Sequence, residues 1–442
     1  MLQEIEDYVR SLGLDAYLVG GAVRDELLGL VSKDADFLVA GVDTEELRRR
    51  LEPHGRVEDL VVAGRLVGVR LHPRDRAVRS LAPAGIEFAP PRKEVSTGPG
   101  RHDFEIVADP SLSVDDDMRR RDFTVNAMAR RLETGELVDP LDGKRDLEAR
   151  VLRTVSTQSF REDPLRLVRA LRFVSQLGFE PDEALLDQMR EEAPAARLVS
   201  GERIGGGLAA DGMGELSKLL LGAEPARALR LARDTGVLVE LIREFGPAAD
   251  QADHIFEVVQ ETADAGDDLA VRLAALFHDL GKAVDPDYRG HARESARIAR
   301  DVLGRLRYPQ RLARRVVAIV RAHPFRFVDL PTDPTGGRRF LRTHGDQLSF
   351  DLAAHRRADC AAKGYDAAPV DRFRALLEQE QLSPHRLADL AVDGNDLIEL
   401  GFEAGPGLGR LLEELLDEVV EEPGLNTPEE LLAHARTKLP AS

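Results

Sequence analysis

The sequence predicts an α+β protein, a small mixed-sheet head followed by an all-helical neck, body and tail. Two observations carry this. In roughly the first ninety residues the apolar side chains come in short runs of strand length set off by glycine turns, whereas beyond Arg150 nearly every segment has helical periodicity. At 442 residues the chain also exceeds one ordinary hydrophobic core, so two to four domains are expected.

In order, the pattern reads as a helix over Leu2 to Leu12, a strand over Ala16 to Val19, a turn at Gly20-Gly21, a helix opening at Val23 and a strand over Asp36 to Val39. Further strands are expected at Leu66 to Leu71 and Ile86 to Ala89. The stretch from Pro90 to Pro110 is rich in Pro, Gly and charge, lacks sustained periodicity, and reads as a mobile loop. Breaks near Gly201 to Gly207, Gly246 to Asp250, Pro331 to Gly337 and Gly405 to Gly407 divide the helical part. The expected domains are therefore a head (1–150), a neck (151–245), a body (246–365) and a tail (366–442).

Composition excludes several classes. The N-terminus MLQEIEDYVR lacks the basic start and apolar stretch of a signal peptide, and no run has the apolar length of a membrane span, so a cytoplasmic protein is expected. The single cysteine, Cys360, excludes an intrachain disulfide and a Cys-based zinc cluster. A net charge of −18 runs against a polyanion binder, but arginine is dense at Arg119 to Arg121 and at Arg161, Arg166, Arg169 and Arg172, which predicts a basic strip on an acidic body.

Chemistry concentrates first in the head. Leu18-Val-Gly-Gly-Ala-Val-Arg-Asp25 sets Gly20 and Gly21 between a strand and a helix, where backbone N–H groups and the positive helix end face an anion and Arg24 adds a charge-assisted bond. Alone, such a turn is usually only a tight turn. Downstream, alternation along Lys33-Asp-Ala-Asp-Phe-Leu-Val39 places Asp34 and Asp36 on one strand face. Two adjacent carboxylates repel unless a cation lies between them, and oxygen-only ligands beside a triphosphate select Mg²⁺. Glu87, in Gly85-Ile-Glu-Phe-Ala89, is the candidate third carboxylate. The chemistry indicated is two-metal phosphoryl transfer, with Asp34, Asp36 and Glu87 as catalytic residues and the first two as metal ligands.

GGAVRD followed by DAD resembles the DNA polymerase β-type nucleotidyltransferase superfamily, and its class II bacterial tRNA nucleotidyltransferase and poly(A) polymerase branch fits best. Two more motifs carry the resemblance. Arg120-Arg-Asp-Phe-Thr-Val-Asn-Ala127 resembles the segment that in this family holds the sugar and phosphates of the incoming nucleotide, which implies triphosphate contacts for Arg120 and Arg121 and ribose contacts for Asp122 or Asn126. Glu162-Asp-Pro-Leu-Arg166 resembles the motif that serves relatives as a protein template for the base. Cytosine and adenine each present an exocyclic amino donor beside a ring-nitrogen acceptor, so Asp163 can accept from the first and Arg166 donate to the second, while uracil and guanine leave both groups unpaired. Pro164 suits the first turn of a helix that aligns Arg166, Arg169 and Arg172; for the last two, base stacking or phosphate contact is implied by the resemblance, with an Arg-rich helix paired to its own acids as the alternative.

Leu273-Ala-Ala-Leu-Phe-His-Asp-Leu-Gly-Lys282 resembles the HD metal phosphohydrolases, which implies a site at His278, Asp279 and Asp359, with His291 and His323 where relatives carry further ligands. By spacing, Val258 stands where the family has its first histidine, and His254 is one helical turn away. A site lacking a ligand binds metal poorly, so a structural or RNA-holding body is expected ahead of an active phosphodiesterase. The tail from Asp393 to Gly409 is similar to that of HD-containing members. The resemblance implies a nucleotidyltransferase that adds or repairs the 3′-terminal CCA of tRNA from CTP and ATP with Mg²⁺. A poly(A) polymerase shares the head motifs, but Ala63-Gly-Arg-Leu-Val-Gly-Val-Arg70 lacks its basic segment and the tail is acidic. CC- or A-adding enzymes are a further alternative, against which the loop at Gly98 to Asp103 does not look shortened; an HD phosphohydrolase with an inactive head is the alternative from another class.

Overall fold

The computed structural model describes residues 2–31, 35–62, 64–96, 104–108, 110–206, 213–284, 290–324 and 329–438. It divides into two compact units, the first of Met1–Gly246 with Arg305–Tyr308 and the second of Pro247–Gly304 with Pro309–Ser442.

Among its described residues the first unit holds eleven strands: β1 (Ala16–Val19), β2 (Asp36–Val39), β3 (Gly55–Val62), β4 (Arg65–Pro73), β5 (Ile86–Ala89), β6 (Arg92–Ser96), β7 (Phe104–Ala108), β8 (Ala129–Arg131), β9 (Leu137–Val138), β10 (Val151–Leu152) and β11 (Glu180–Pro181). Seven form one sheet in the order β3-β4-β5-β2-β1-β8-β9. The sheet is mixed, because β2 and β5 pair in parallel while β1–β2, β1–β8, β3–β4, β4–β5 and β8–β9 are antiparallel. The α+β expectation holds. All four residues of β1 are buried, as befits a central strand, and one face packs Tyr17, Val19 and Leu38 against Val114, Met118, Ala127 and Ala129. Phe37 and Phe88 stack with ring centroids 5.6 Å apart across the β2–β5 pair.

The stretch from Pro90 to Pro110 is not a plain loop: β6 and β7 pair antiparallel from Arg92↔Ala108 to Ser96↔Phe104. Main-chain pairing satisfies the backbone whatever the side chains, so a charged hairpin need not show hydrophobic alternation. Its connection, including Gly98 to Asp103, lies outside the described residues. Strand β3 was also not expected, and the helix after the Gly-Gly turn runs Gly21–Leu27, opening two residues earlier than Val23.

Beyond the head the first unit is mostly helical. The helix Leu165–Leu177 buries Leu167, Val168, Leu171 and Val174 and starts behind Pro164, which supplies a helical φ where no N–H is needed. The second unit is helical throughout its described residues. The helices Ala252–Asp264, Leu269–Phe277, Gln310–Ala322 and Asp346–Ala362 pack together, with the buried His355 inside the last and the buried His278 and His323 at the C-terminal caps of the second and third. A separate core of Val392, Leu397, Leu411, Leu415 and Val419 organises the C-terminal helices. Among the described residues no helix is long and apolar enough to cross a membrane.

Phe88 is fully buried and its stacking partner lies on the parallel neighbour. Phe88→Ala is therefore expected to destabilise the first unit by about 3–5 kcal/mol, read as a lowered denaturant midpoint of the sheet's unfolding.

Candidate active site

The Gly-Gly turn is built for close approach. Gly20 has φ +69°, and a Cβ there would come 2.6 Å from Arg121 Nη1. Arg24, one turn into the helix, donates from Nη1 to Asn126 Oδ1 at 2.7 Å and from Nε and Nη2 to Asp25 Oδ1 at 2.9 and 2.6 Å. Asp36 opens β2 opposite Glu87 of β5. Glu87 also accepts from Arg70 of β4, at 3.2 Å from Nε and in a shorter bond from Nη2. The other predicted carboxylate, Asp34, lies outside the described residues.

The segment Arg120 to Asn126 forms a buried network. Asp117 is fully buried between the guanidinium groups of Arg120, 2.6 Å away, and Arg121, 3.3 Å away. Burial would raise its carboxyl, but these two positive charges hold it below the usual range. Asp122 accepts from Phe123 N at 2.8 Å, Asn126 Nδ2 at 3.1 Å and Arg169 Nε at 2.8 Å, and Arg169 Nη2 lies 2.6 Å away. Against the cost of burial, Arg169 and these donors keep Asp122 ionised far below an ordinary aspartate. A carboxylate has about four lone-pair sites, and here the protein fills them. Glu215 follows, 3.5 Å from Arg169 Nη1 and 3.1 Å from Arg172 Nε, the second contact close but poorly aligned for a hydrogen bond. Burial lowers Arg172 to about 10, opposed by the charge of Glu215. The ring of Phe173 lies under three of these cations, with Arg172, Arg24 and Arg169 carbons 4.5, 5.3 and 5.9 Å from its centroid.

The expected base-reading pair is also held in place. Asp163 accepts from Leu165 N at 3.1 Å and is gripped by Arg203, Nη1 to Oδ1 at 3.0 Å and Nη2 to Oδ2 at 2.6 Å. Arg166 donates from Nη1 to Ser159 Oγ at 3.0 Å and Glu162 Oε2 at 2.9 Å, and from Nη2 to the carbonyl of Arg120 at 2.7 Å. After these bonds Asp163 retains about one acceptor site, and Arg166 retains Nε–H and one Nη2–H.

Three adjoining pockets connect the predicted residues. One of about 490 Å³ is lined by Asp36, Glu87, Arg120 and Arg121. A second, of about 570 Å³, meets Gly21, Arg24, Asp36, Asn126, Arg169 and Arg172. A third, of about 330 Å³, reaches Asp163, Arg166 and Arg203. Arg121 lines all three. The predicted basic strip is only partly realised: Arg161 turns instead to Glu191 and Glu192, and Arg169 and Arg172 are sunk among acids, which are Asp122 and Glu215 of other segments and not acids of their own helix. The sequence reading missed Arg203, Glu215 and Phe173. Only the Ser200-Gly-Glu-Arg-Ile204 stretch after a helix break offered a signal, for Arg203.

The second unit holds a cluster of histidines and aspartates. One ligand atom each from His254, His278 and Asp359 lies within 4.8 Å of the others, and the same holds for Asp279, His291 and His323. This corrects the expectation of a missing ligand: His254 Nε2 is 3.1 Å from Asp359 Oδ1 and 3.6 Å from Asp279 Oδ2, while Val258 is fully buried. Residues one turn apart share a helix face, so His254 faces the same cluster as position 258, and its imidazole is long enough to reach it. His278 Nδ1 and His323 Nδ1 lie 2.8 and 2.6 Å from the carbonyls of Ala275 and Val320. That sets the Nδ1–H tautomer and turns each Nε2 lone pair inward, and His278 Nε2 is buried without a hydrogen-bond partner. Imidazoles with carboxylates suit a first-row transition metal. His355, buried 5.0 Å from His278 ring to ring, was not expected.

The sheet, the Gly-Gly turn and the arginine-lined pockets define a nucleotidyltransferase head. The sequence profile of the poly A polymerase head domain matches residues 16–153, that of the "probable RNA and SrmB- binding site of polymerase A" matches 178–248, and the HD domain matches 252–359. A protein of Methylococcus capsulatus named multifunctional CCA protein is 33% identical over 431 residues, covering 91% of this chain and 93% of that one. One of the same name from Neisseria gonorrhoeae is 36% identical over 331 residues, 70% of this chain and 74% of that one. The crystal structure of the Bacillus stearothermophilus CCA-adding enzyme in complex with CTP aligns with a TM-score of 0.73 at 26% identity, over 98% of this chain and 96% of that one. The chain belongs to the multifunctional CCA protein family, nucleotidyltransferases that use a divalent metal.

Burial pushes His323 down to about 3 and His355 well below the ordinary 6.5, with the neighbouring His278 adding to both. Above 6.5 each is neutral folded or unfolded; below it the unfolded chain takes up protons that the folded chain refuses, so stability falls as the pH drops toward 3. Metal-stripped protein should lose stability between about pH 7 and about pH 5, each imidazole contributing at most about 1.4 kcal/mol per pH unit. Denaturant midpoints at the two pH values check this, as does the smaller loss expected of His355→Leu.

Proposed function

We propose that the protein builds and repairs the 3′-terminal CCA of tRNA from CTP and ATP, without a nucleic-acid template, and does so in the cytoplasm. The observation that carries this is the residual hydrogen-bonding capacity of Asp163 and Arg166, one acceptor site beside free donors, in a pocket that adjoins Asp36 through Arg121. That capacity complements the amino group and ring nitrogen of cytosine or adenine. Against uracil or guanine it sets acceptor to carbonyl and donor to N–H, and buried mismatches of this kind discriminate strongly.

In this reading the 3′-terminal hydroxyl oxygen of the tRNA attacks the α-phosphorus of the nucleotide. A new phosphodiester forms, the bond to the β-phosphate oxygen breaks, pyrophosphate leaves and the hydroxyl proton passes to solvent. Asp34 and Asp36, with Glu87 alongside, would hold Mg²⁺, which supplies the Lewis acidity for the attacking and leaving oxygens. The oxygen-only donors at Asp36 and Glu87 fit that hard cation. Gly20, Gly21, Arg24, Arg120, Arg121 and Arg172 face the triphosphate, and Asn126 faces the ribose. Asp122, whose acceptor sites are filled, positions these groups, and Arg169, which it holds, faces two of the pockets with its remaining N–H donors.

A second activity is favoured by one specific observation, the completion of the HD ligand set by His254. We assign to that cluster a bound transition metal and hydrolysis of phosphoesters.

Purified protein with Mg²⁺, all four nucleoside triphosphates and a tRNA lacking its CCA end tests the first reading. Three added nucleotides reading CCA are expected. A long A tail would instead make it a poly(A) polymerase, CC or A alone a split enzyme, and no addition would refute the transferase reading. Asp36→Ala should lower incorporation by roughly a thousandfold with an unchanged unfolding midpoint.

A further inference from the structure

The helices that carry His291 and lead into His323 also carry an arginine pocket. It encloses about 610 Å³ and is lined by Arg293, Arg297, Arg300 and Arg321, with Glu294 and the half-exposed Val284 at its wall. The chain has 79 acidic against 61 basic side chains, and its arginines mostly find carboxylates, so those that do not are informative. Arg297 is neutralised by Glu294 and, at 2.8 Å, by Asp301. Arg293, Arg300 and Arg321 make no ion pair or side-chain hydrogen bond among the described residues.

Arg293 and Arg300 are seven residues apart on the helix His291–Arg305, so they share a face and stand roughly 10.5 Å apart along its axis. Arg321 enters the pocket from the helix Gln310–Ala322. Three like charges around one pocket repel unless an anion joins them, and their spread exceeds a single phosphate group. The pocket also adjoins the metal cluster in the chain: Gly290 in its wall precedes His291, and Arg321 stands two residues before His323.

We propose that this pocket seats the phosphodiester backbone of an RNA strand and thereby directs the strand's end to Asp279, His291 and His323. The proposal rests on the phosphoester-hydrolysis reading of that cluster and adds its substrate class: an RNA end, held by phosphates upstream of the one attacked, rather than a free mononucleotide.

The test uses the full chain and a triple variant, Arg293→Gln with Arg300→Gln and Arg321→Gln. All three side chains are exposed, so the fold should persist, and an unchanged unfolding midpoint verifies this. Binding of a labelled short single-stranded RNA is measured across salt concentrations. Each phosphate contact contributes about 0.7 to the slope of log K on log salt, so the variant's slope should be shallower by about 2. In parallel, the variant should show at least about a tenfold higher KM for an RNA bearing a terminal phosphate, with unchanged hydrolysis of p-nitrophenyl phosphate. An unchanged salt slope overturns the proposal. So does weakened binding of ATP with RNA binding intact, which would make the pocket a mononucleotide site. If the wild type hydrolyses neither substrate, the phosphoester reading has failed, and the salt slope alone then decides whether the pocket seats RNA.

Discussion

The head site depends on one ion pair, Asp122 with Arg169. Asp122 is withdrawn from water while Arg169 keeps 30% of its side chain exposed, and it is the Asp122 charge that is not tolerable alone, because removing its partner strands a buried charge at a cost of about 3–5 kcal/mol. The pair ties the turn that carries Asn126 to the helix Leu165–Leu177. Asn126 in turn holds Arg24 of the Gly-Gly turn, and Arg169 shares Glu215 with Arg172. Each guanidinium that faces the phosphate pocket is thus set by a neighbour before any ligand arrives. Such preorganisation is what lets a site stabilise charge as it develops in a reaction, since no reorientation is then required.

The same economy of charge explains how an acidic protein serves a polyanionic substrate. A net charge of −18 describes the whole surface, whereas the pockets of the first unit are ringed by Arg24, Arg92, Arg120, Arg121, Arg166 and Arg203. Around them acids serve as internal struts: Asp117 spaces Arg120 and Arg121, and Glu162 braces Arg166. In the second unit the contrast is between Arg297, which is neutralised, and its neighbours Arg293 and Arg300, which are not.

Much of this was legible in the sequence, and what was not has physical reasons. Strand β1 announces itself as a continuous buried run, and β2 and β5 as short apolar stretches interrupted only by the carboxylate each carries, Asp36 and Glu87. The hairpin β6–β7 does not, because its backbone pairing imposes no hydrophobic pattern on a charged segment. The residues around Gly20, Asp36, Asp122 and Asp163 could be named because each bears chemistry in a recognisable local arrangement. Arg203 and Glu215 could not, since they act across long separations in the chain that only the folded structure closes. His254 shows a subtler limit: counting along the motif pointed to Val258, but a helix brings the residue one turn earlier to the same face, and the longer side chain reaches the cluster.

We propose that protein side chains alone choose the base. Competition of UTP and GTP against CTP and ATP on one tRNA substrate, compared between the wild type and Asp163→Ala, tests it most directly. The preference for C and A should collapse by one to two orders of magnitude in the variant, roughly the worth of one buried hydrogen-bonding group, while triphosphate affinity changes little. A variant that still excludes U and G would contradict it.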